Sequence, residues 1–237
     1  MDTGIFDQNE YFDIYIEYAK ADQEDILIKV TVHNRGEVDA PITIMPTVWF
    51  RNTWSWGYEN YRYKPMMNGI SKRLVEISHR KHGKFNLYFE EADELVFCEN
   101  ESNMNRIYGI PSTTPYPKDG INDYVVSGGT SATINPNQIG TKAAGIHKRM
   151  VPAGGEVSIR IRLANYVISE PFGGFEDTIA KRVREADEFY GDIQQDVEND
   201  DERKIQRQAY AGMLWNKQFY YYNVNEWLKG DPEQPAP

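Results

Sequence analysis

Phe12-Asp-Ile-Tyr-Ile-Glu-Tyr18 and Ile26-Leu-Ile-Lys-Val-Thr-Val-His33 are the stretches whose reading decides the fold. In the first, Phe12, Ile14, Ile16 and Tyr18 alternate with Asp13, Tyr15 and Glu17. In the second, Ile26, Ile28, Val30 and Val32 alternate with Lys29, Thr31 and His33. A period of two sends successive side chains to opposite faces, so each stretch predicts a β-strand with one face covered. The polar turn Ala21–Asp25 lets the second strand pair back on the first, and Asn34-Arg-Gly36 closes it with a permissive glycine. Ile42 and Ile44 open a third strand, Pro46 marks an edge or bulge, and Thr47-Val-Trp-Phe50 resumes the run. Consecutive short strands joined by tight turns argue for an antiparallel sheet.

Outward from this start, further strands are expected at Leu74 to Ser78, Phe85 to Phe89 and Leu95 to Cys98, with polar or glycine-bearing links between them. Ala143 to Met150 and Val157 to Leu163, joined through Val151-Pro-Ala-Gly-Gly155, read as the clearest hairpin of the chain. Two long irregular stretches interrupt the strands. Arg51 to Asn68 holds Trp54, Trp56, Tyr58, Tyr61 and Tyr63, too aromatic for a mere connection. Glu99 to Pro136 is rich in Asn, Gly, Ser and Pro, with one helical turn expected over Ile121 to Val126, and reads as a functional or covering loop. The period then changes. Phe175, Ile179, Val183, Ala186 and Tyr190 recur at helical spacing, which predicts an amphipathic helix over Phe175 to Tyr190. After an acidic link, Ile205, Ala209, Met213 and Leu214 predict a last helix beginning near Asp201, with Asp200 or Asp201 as its N-cap. This helix runs into Phe219-Tyr-Tyr-Tyr222, a cluster with strand preference and more ring surface than a lone helix leaves in water. The reading is a mainly β protein: an antiparallel β-sandwich over residues 1–168, a helical linker over 169–229 and a polar tail over 230–237.

Charge and composition exclude several classes. A net charge of −10 without a lysine- or arginine-rich run repels nucleic acid and anionic lipid, so neither is expected as a partner. No apolar run approaches the roughly 20 residues of a bilayer span, and the first residues lack the features of a secretory signal. Cys98 alone allows no intrachain disulfide and no cysteine zinc site, which favours the cytoplasm. Beside Val96 and Phe97 it reads as a small buried hydrophobe, and the sequon Asn100-Glu-Ser102 as chance.

Few groups suggest chemistry. Asp119 and Asp123, four apart, would share one side of a helical turn, as catalytic carboxylates or as loop braces. Glu99 and Glu101 read as a solvated turn. His79 and His82 lie in the basic run Ser78-His-Arg-Lys-His-Gly83, whose cations disfavour a metal, and His147 sits on a strand. No metal site and no cofactor are expected. Arg51-Asn-Thr-Trp-Ser-Trp-Gly-Tyr58 suits either stacking on sugar faces or packing between domains.

Several motifs, in order, carry a resemblance. Arg51-Asn-Thr-Trp-Ser-Trp56, Lys118-Asp-Gly-Ile-Asn-Asp-Tyr-Val-Val126, Gly140-Thr-Lys-Ala-Ala144, Gln208-Ala-Tyr-Ala-Gly-Met-Leu-Trp215, Lys217-Gln-Phe-Tyr-Tyr221 and Trp227-Leu-Lys-Gly-Asp-Pro232 resemble bacterial proteins related to glycoside hydrolase family 63, the mannosyl-oligosaccharide glucosidase group. The resemblance runs from about Asp2 to Pro232. It implies a supersandwich-like β domain, incomplete at its start, preceding an (α/α)6 barrel that carries the acid and base of an inverting glycosidase. Those carboxylates have no counterpart here, so no catalytic residue is carried over and the chain alone is expected to be inactive. The barrel of the same polypeptide and an α-linked gluco-oligosaccharide are the implied partners. Trp54, Trp56, Asp119 and Asn122 are the expected substrate-side residues, by stacking and by hydrogen bonds to hydroxyls. Open sandwich edges would favour self-association. A stand-alone sugar-binding module centred on Trp54 and Trp56, a sugar epimerase using His79 or His147, and a purely structural domain remain as alternatives.

Overall fold

The computed structural model describes residues 4, 6–7, 10–217 and 220–233. Phe219 of the aromatic cluster, and the residues beyond Glu233 in the tail, lie outside the described residues. In chain order the strands are β1 (Phe12–Asp22), β2 (Asp25–Asn34), β3 (Ala40–Ile44), β4 (Thr47–Trp49), β5 (Met66–Ser71), β6 (Leu74–His79), β7 (Gly83–Phe89), β8 (Glu94–Cys98), β9 (Ile139–Gly140), β10 (Lys142–Val151) and β11 (Glu156–Ala164). The helices are α1 (Met104–Tyr108), α2 (Gly120–Val126), α3 (Phe175–Ile193), α4 (Asp200–Trp215) and α5 (Val224–Lys229). The seven-stranded sheet runs β1-β2-β11-β7-β6-β5-β9. The four-stranded sheet places β3 and β4 along one side of β10, and β8 also pairs with β10. Every pairing is antiparallel.

The inward residues of the two sheets form one core. Val30, Val32, Val75, Ile77, Leu87, Phe89, Ile159 and Ile161 from the large sheet meet Leu95, Phe97, Ala143 and Val151 from the small one. Gly145 is required here: a Cβ on it would lie 2.5 Å from Cδ1 of Phe89, so only hydrogen lets the ring close on β10. The mainly β sandwich followed by helices is therefore as the alternation predicts.

Three details differ from the sequence reading. The expected hairpin between Ala143 and Leu163 is instead a crossover between sheets, since β10 pairs with β3, β4 and β8 while β11 pairs with β2 and β7. Alternation gives each strand two faces but does not say which neighbour shares its ladder. The crossover is held at the end of β2: Asn34 N–H donates to the Gly155 carbonyl at 2.9 Å and its side-chain amide to the Val151 carbonyl at 3.1 Å. Gly154, at φ 62°, takes the left-handed bend between them. The third strand likewise leaves the first two, since β3 and β4 belong to the small sheet. They are one run broken at Met45 and Pro46, where the Pro46 carbonyl accepts from Gly145 N–H at 3.2 Å.

The third difference is β1. Register sets Ile14 opposite Val32 and Ile16 opposite Val30, so both share the core-facing side. Yet Ile14 is 51% exposed, Ile16 55% and Tyr18 63%. Seven strands outreach four, and the small sheet does not extend under the β1 edge. The covered face expected for this strand is bare beyond Phe12, which packs on the core. Along its outer side β1 has no strand partner among the described residues.

Two further layers complete the molecule. Residues after β8 fold over the back of the small sheet, where Ile121 of α2 packs with Val96, Cys98, Ala144 and Ile146. This settles a covering role for that part of the irregular segment. Burial pushes the Cys98 thiol up to about 11, making it an inert core atom. On the back of the large sheet, Phe175 and Ile179 of α3 bury against Ala19 and Leu27. Further along α3 the predicted stripe stays open, and Val183 is exposed. The N-cap of α4 is Asn199, whose side chain accepts from Asp201 N–H, while Asp200 and Asp201 occupy the first turn, where carboxylates favour the helix dipole. No residue of α4 is buried, and Trp215 is 74% exposed. Tyr220 to Tyr222 form no strand.

Candidate functional site

The aromatic segment that follows β4 and the segment that follows β8 meet at one end of the sandwich, and Glu101 is where they join. Its carboxylate accepts from Trp54 Nε1 at 3.0 Å, from Lys64 Nζ at 2.8 Å and from the Thr113 hydroxyl. Lys64 also reaches Glu99 at 3.1 Å and lies 5.8 Å from the Trp54 ring centroid. Glu99 accepts from Thr141 Oγ1 at 2.7 Å, and that oxygen accepts from Asn100 N–H at 2.8 Å. The Asn100 amide donates to the Phe50 carbonyl at 2.8 Å, so the sequon side chain is spent on structure. Burial alone would raise the Glu101 carboxyl, but the donors Lys64, Thr113 and Trp54 overcome it and hold the group below the usual carboxylate range. Burial opposes the Lys64 charge in turn, and Glu101 and Glu99 hold its pKa above the ordinary value.

The four residues expected on the substrate side fall out as follows. Trp54 is half-buried and tied at its indole nitrogen to Glu101. Trp56 carries the Arg51 guanidinium 4.9 Å above its ring and Tyr61 edge-on at 5.7 Å. It lines a small polar cleft with Asn52, Asn100 and Lys118, and its carbonyl accepts from Glu233 N–H at 3.2 Å. Asp119 and Asp123 do share one side of α2, as their spacing implied, and both are held by the fork of Arg106. Asp119 also accepts from Asn103, at 3.1 Å to one carboxylate oxygen. The hydrogen bond from Arg106, against a burial penalty, keeps the Asp123 carboxyl low. Asn122 points to solvent, its amide reaching only Asp123, at 3.5 Å. The structure thus joins Trp54 to Asp119 through the short segment Glu101 to Asn103, sets Trp56 alongside, and leaves Asn122 apart.

Such an arrangement positions and stacks. A glycosidase acid needs a raised pKa, whereas Glu101 is held down by Lys64, Thr113 and Trp54, and Asp123 by Arg106. The sequence reading of Glu99 and Glu101 as a solvated turn does not hold: their side chains are 17% and 12% exposed. No local pattern announces this, because Glu101 meets Trp54 and Lys64 across 47 and 37 positions of sequence.

The histidines divide. His147 is wholly buried between sheets, with Nε2 3.0 Å from the Glu90 carbonyl and Nδ1 3.3 Å from that of Gly145. Burial lowers its pKa, so it is a neutral core residue, sealed from any substrate. His79 stacks on Phe50 with centroids 5.1 Å apart and lies against His82 at 4.6 Å with the rings tilted. It is not brought to His147. Among the described residues no cluster of His, Cys, Asp or Glu could hold a metal, and no helix is long and apolar enough to cross a membrane.

No family model matches the chain. It is 31% identical over 268 aligned residues to the uncharacterized protein YMR196W of Saccharomyces cerevisiae. That alignment takes in 97% of this chain but 24% of the yeast protein, so the chain spans about a quarter of the length of the relative it matches.

Proposed function

We propose that this chain is the β-sandwich and linker portion of a glycoside hydrolase of the family 63 type, with a sandwich over residues 1–168, a linker over 169–229 and a polar tail over 230–237. The parent acts in the cytoplasm on an α-linked gluco-oligosaccharide, and its barrel docks on the linker helices. The observation that carries this reading is the apolar surface those helices leave exposed. Met213, Leu214 and Trp215 of α4, and Trp227 and Leu228 of α5, are all exposed. Adjacent apolar side chains on successive helices are what a further layer of helices would bury. The reading draws further support from the yeast relative, about four times as long as the matched segment, and from the uncovered inner face of β1, where more strands would extend the sandwich. The resemblance carried by the motifs supplies the family.

In this arrangement Trp54 and Trp56 stand at the barrel side, Trp56 beside the segment Asp231 to Glu233 that follows α5. Glu101 and Lys64 are positioning residues that hold Trp54. The test is hydrolysis of a panel of α- and β-linked oligosaccharides by this chain alone and by the longer polypeptide. Turnover only in the longer protein, lowered in Trp54→Ala and Trp56→Ala by more than the change in melting temperature explains, is the expected result. Turnover by the short chain, or none by the long one, overturns the reading.

A further inference from the structure

A second recessed surface lies outside the Glu101 network. It is a cleft of about 760 Å³ between the turn Glu59–Tyr61 and the loop that joins β6 to β7. Arg62, Arg80 and Lys81 all line it, in a chain whose net charge is −10. Three cations gathered on one concave surface repel one another unless something negative sits between them. The neighbouring acids are committed elsewhere: Glu76 to Lys84 at 3.8 Å, and Glu99 and Glu101 to Lys64. Glu59 is the one carboxylate among the lining residues, against three cations.

The turn that presents two of these cations, Arg80 and Lys81, is fixed. His79, the last residue of β6, accepts at Nδ1 from Lys81 N–H and His82 N–H, both at 3.1 Å. These two bonds lock the turn, and Phe50 and Tyr63 pack on the imidazole from two directions, stacked and edge-on. With Nδ1 accepting, the neutral ring carries its proton on Nε2. Histidine therefore acts as the brace of the turn that carries Arg80 and Lys81. Guanidinium groups grip the oxygens of a phosphate in pairs, and lysine adds a point charge. The cleft is larger than a phosphate needs and lies in the range of small-ligand sites. The Asn60 amide and the ring of Tyr61 complete it with groups suited to hydroxyls and to a sugar face.

We propose that this cleft binds a small phosphorylated sugar, its phosphate held by Arg62, Arg80 and Lys81 and its ring by Asn60 and Tyr61. The site does not depend on the hydrolase reading. Its test is a calorimetric titration of the chain with glucose 6-phosphate at low salt, with glucose as the comparison. Saturable binding of the phosphate ester and none of glucose is expected, weakened about tenfold by each of Arg80→Ala and Lys81→Ala. Both side chains are exposed, so the variants keep the fold. Lys148→Ala, which removes an exposed cation from β10 on the other sheet, leaves the affinity unchanged. An absent binding isotherm overturns the proposal. So does binding that survives the double substitution Arg80→Ala/Lys81→Ala, or glucose binding as tightly as its phosphate.

Discussion

Replacing Arg162 by methionine is expected to test how the linker is rooted in the sandwich. Asp25 opens β2 and is wholly buried. Arg162 of β11 donates to both its oxygens, from Nε at 2.8 Å and Nη2 at 2.6 Å, and the Tyr166 hydroxyl adds a third donor. The remaining guanidinium nitrogen donates at 2.9 Å to the carbonyl of Pro171, in the connection that enters α3. Arg162→Met removes every one of these bonds from the arginine and leaves a buried carboxylate with Tyr166 alone. Breaking a buried pair from one side costs about 3–5 kcal/mol, which for a chain of this length is a fall in Tm of roughly 10 °C. Equilibrium unfolding in urea measures it. Substituting both partners, Asp25→Leu with Arg162→Met, is expected to cost less than Arg162→Met alone, because no unpaired charge remains. The pH dependence gives the sign. In the native protein burial works to raise the Asp25 carboxyl, and the bonds from Arg162 and Tyr166 overcome it and hold it below its usual value. The unfolded chain therefore binds the proton first as pH falls, so this contribution is complete above about pH 5 and is lost through and below about pH 4. Without Arg162 burial prevails and raises the carboxyl, so the deficit of the variant narrows between pH 7 and pH 5. A penalty below about 1 kcal/mol, or one that does not change over that interval, would refute the reasoning.

Two further outcomes follow from packing. Gly145→Ala forces a methyl against Phe89 and is expected to destabilise the chain by about 1–3 kcal/mol, read as a lower urea midpoint; a neutral result would mean that the ring moves freely. Ile16→Lys places a charge in the middle of the uncovered β1 face and is expected to suppress self-association of the isolated chain, seen by light scattering after size exclusion, while leaving its Tm within a few degrees. Equal association in both proteins would show that β1 is not the contact.

Much of this molecule is legible residue by residue. Strands β1, β2 and β11, and helices α3 and α4, follow from periodicity, because burial of one face forces the period, while β6, β7, β8 and β10 read as short runs bounded by turn residues, β8 being buried on both faces. What periodicity does not encode is the neighbour. Nothing in Ala143 to Leu163 says that the chain changes sheet at Pro152, and nothing in Phe12 to Tyr18 says that the opposing sheet is too narrow to reach it. Strand β5, read as part of the aromatic loop, is Met66 to Ser71 with a glycine and an asparagine inside, a weak pattern rescued by pairing to β6 and β9. Helix α1 carries no periodic signal: its five residues are held by Asn103, which accepts from Arg106 N–H, rather than by an apolar stripe. At the candidate site the rings of Trp54 and Trp56 stand out from sequence, while the carboxylate that fixes Trp54 is visible only once distant segments meet.

The bond from Glu233 to Trp56 has a mechanical consequence. The helical segment is moored at one end, where Phe175 and Ile179 grip the back of β1 and β2, and at the other, where Glu233 ties to the aromatic loop. A span fixed at both ends transmits tension. Added residues in the acidic stretch before α4 would appear as slack and cost little, since each doubling of a loop adds only about 0.6 kcal/mol of closure entropy. Deleted residues would instead pull on Trp56, so the length of that stretch behaves as a trim setting for the aromatic loop.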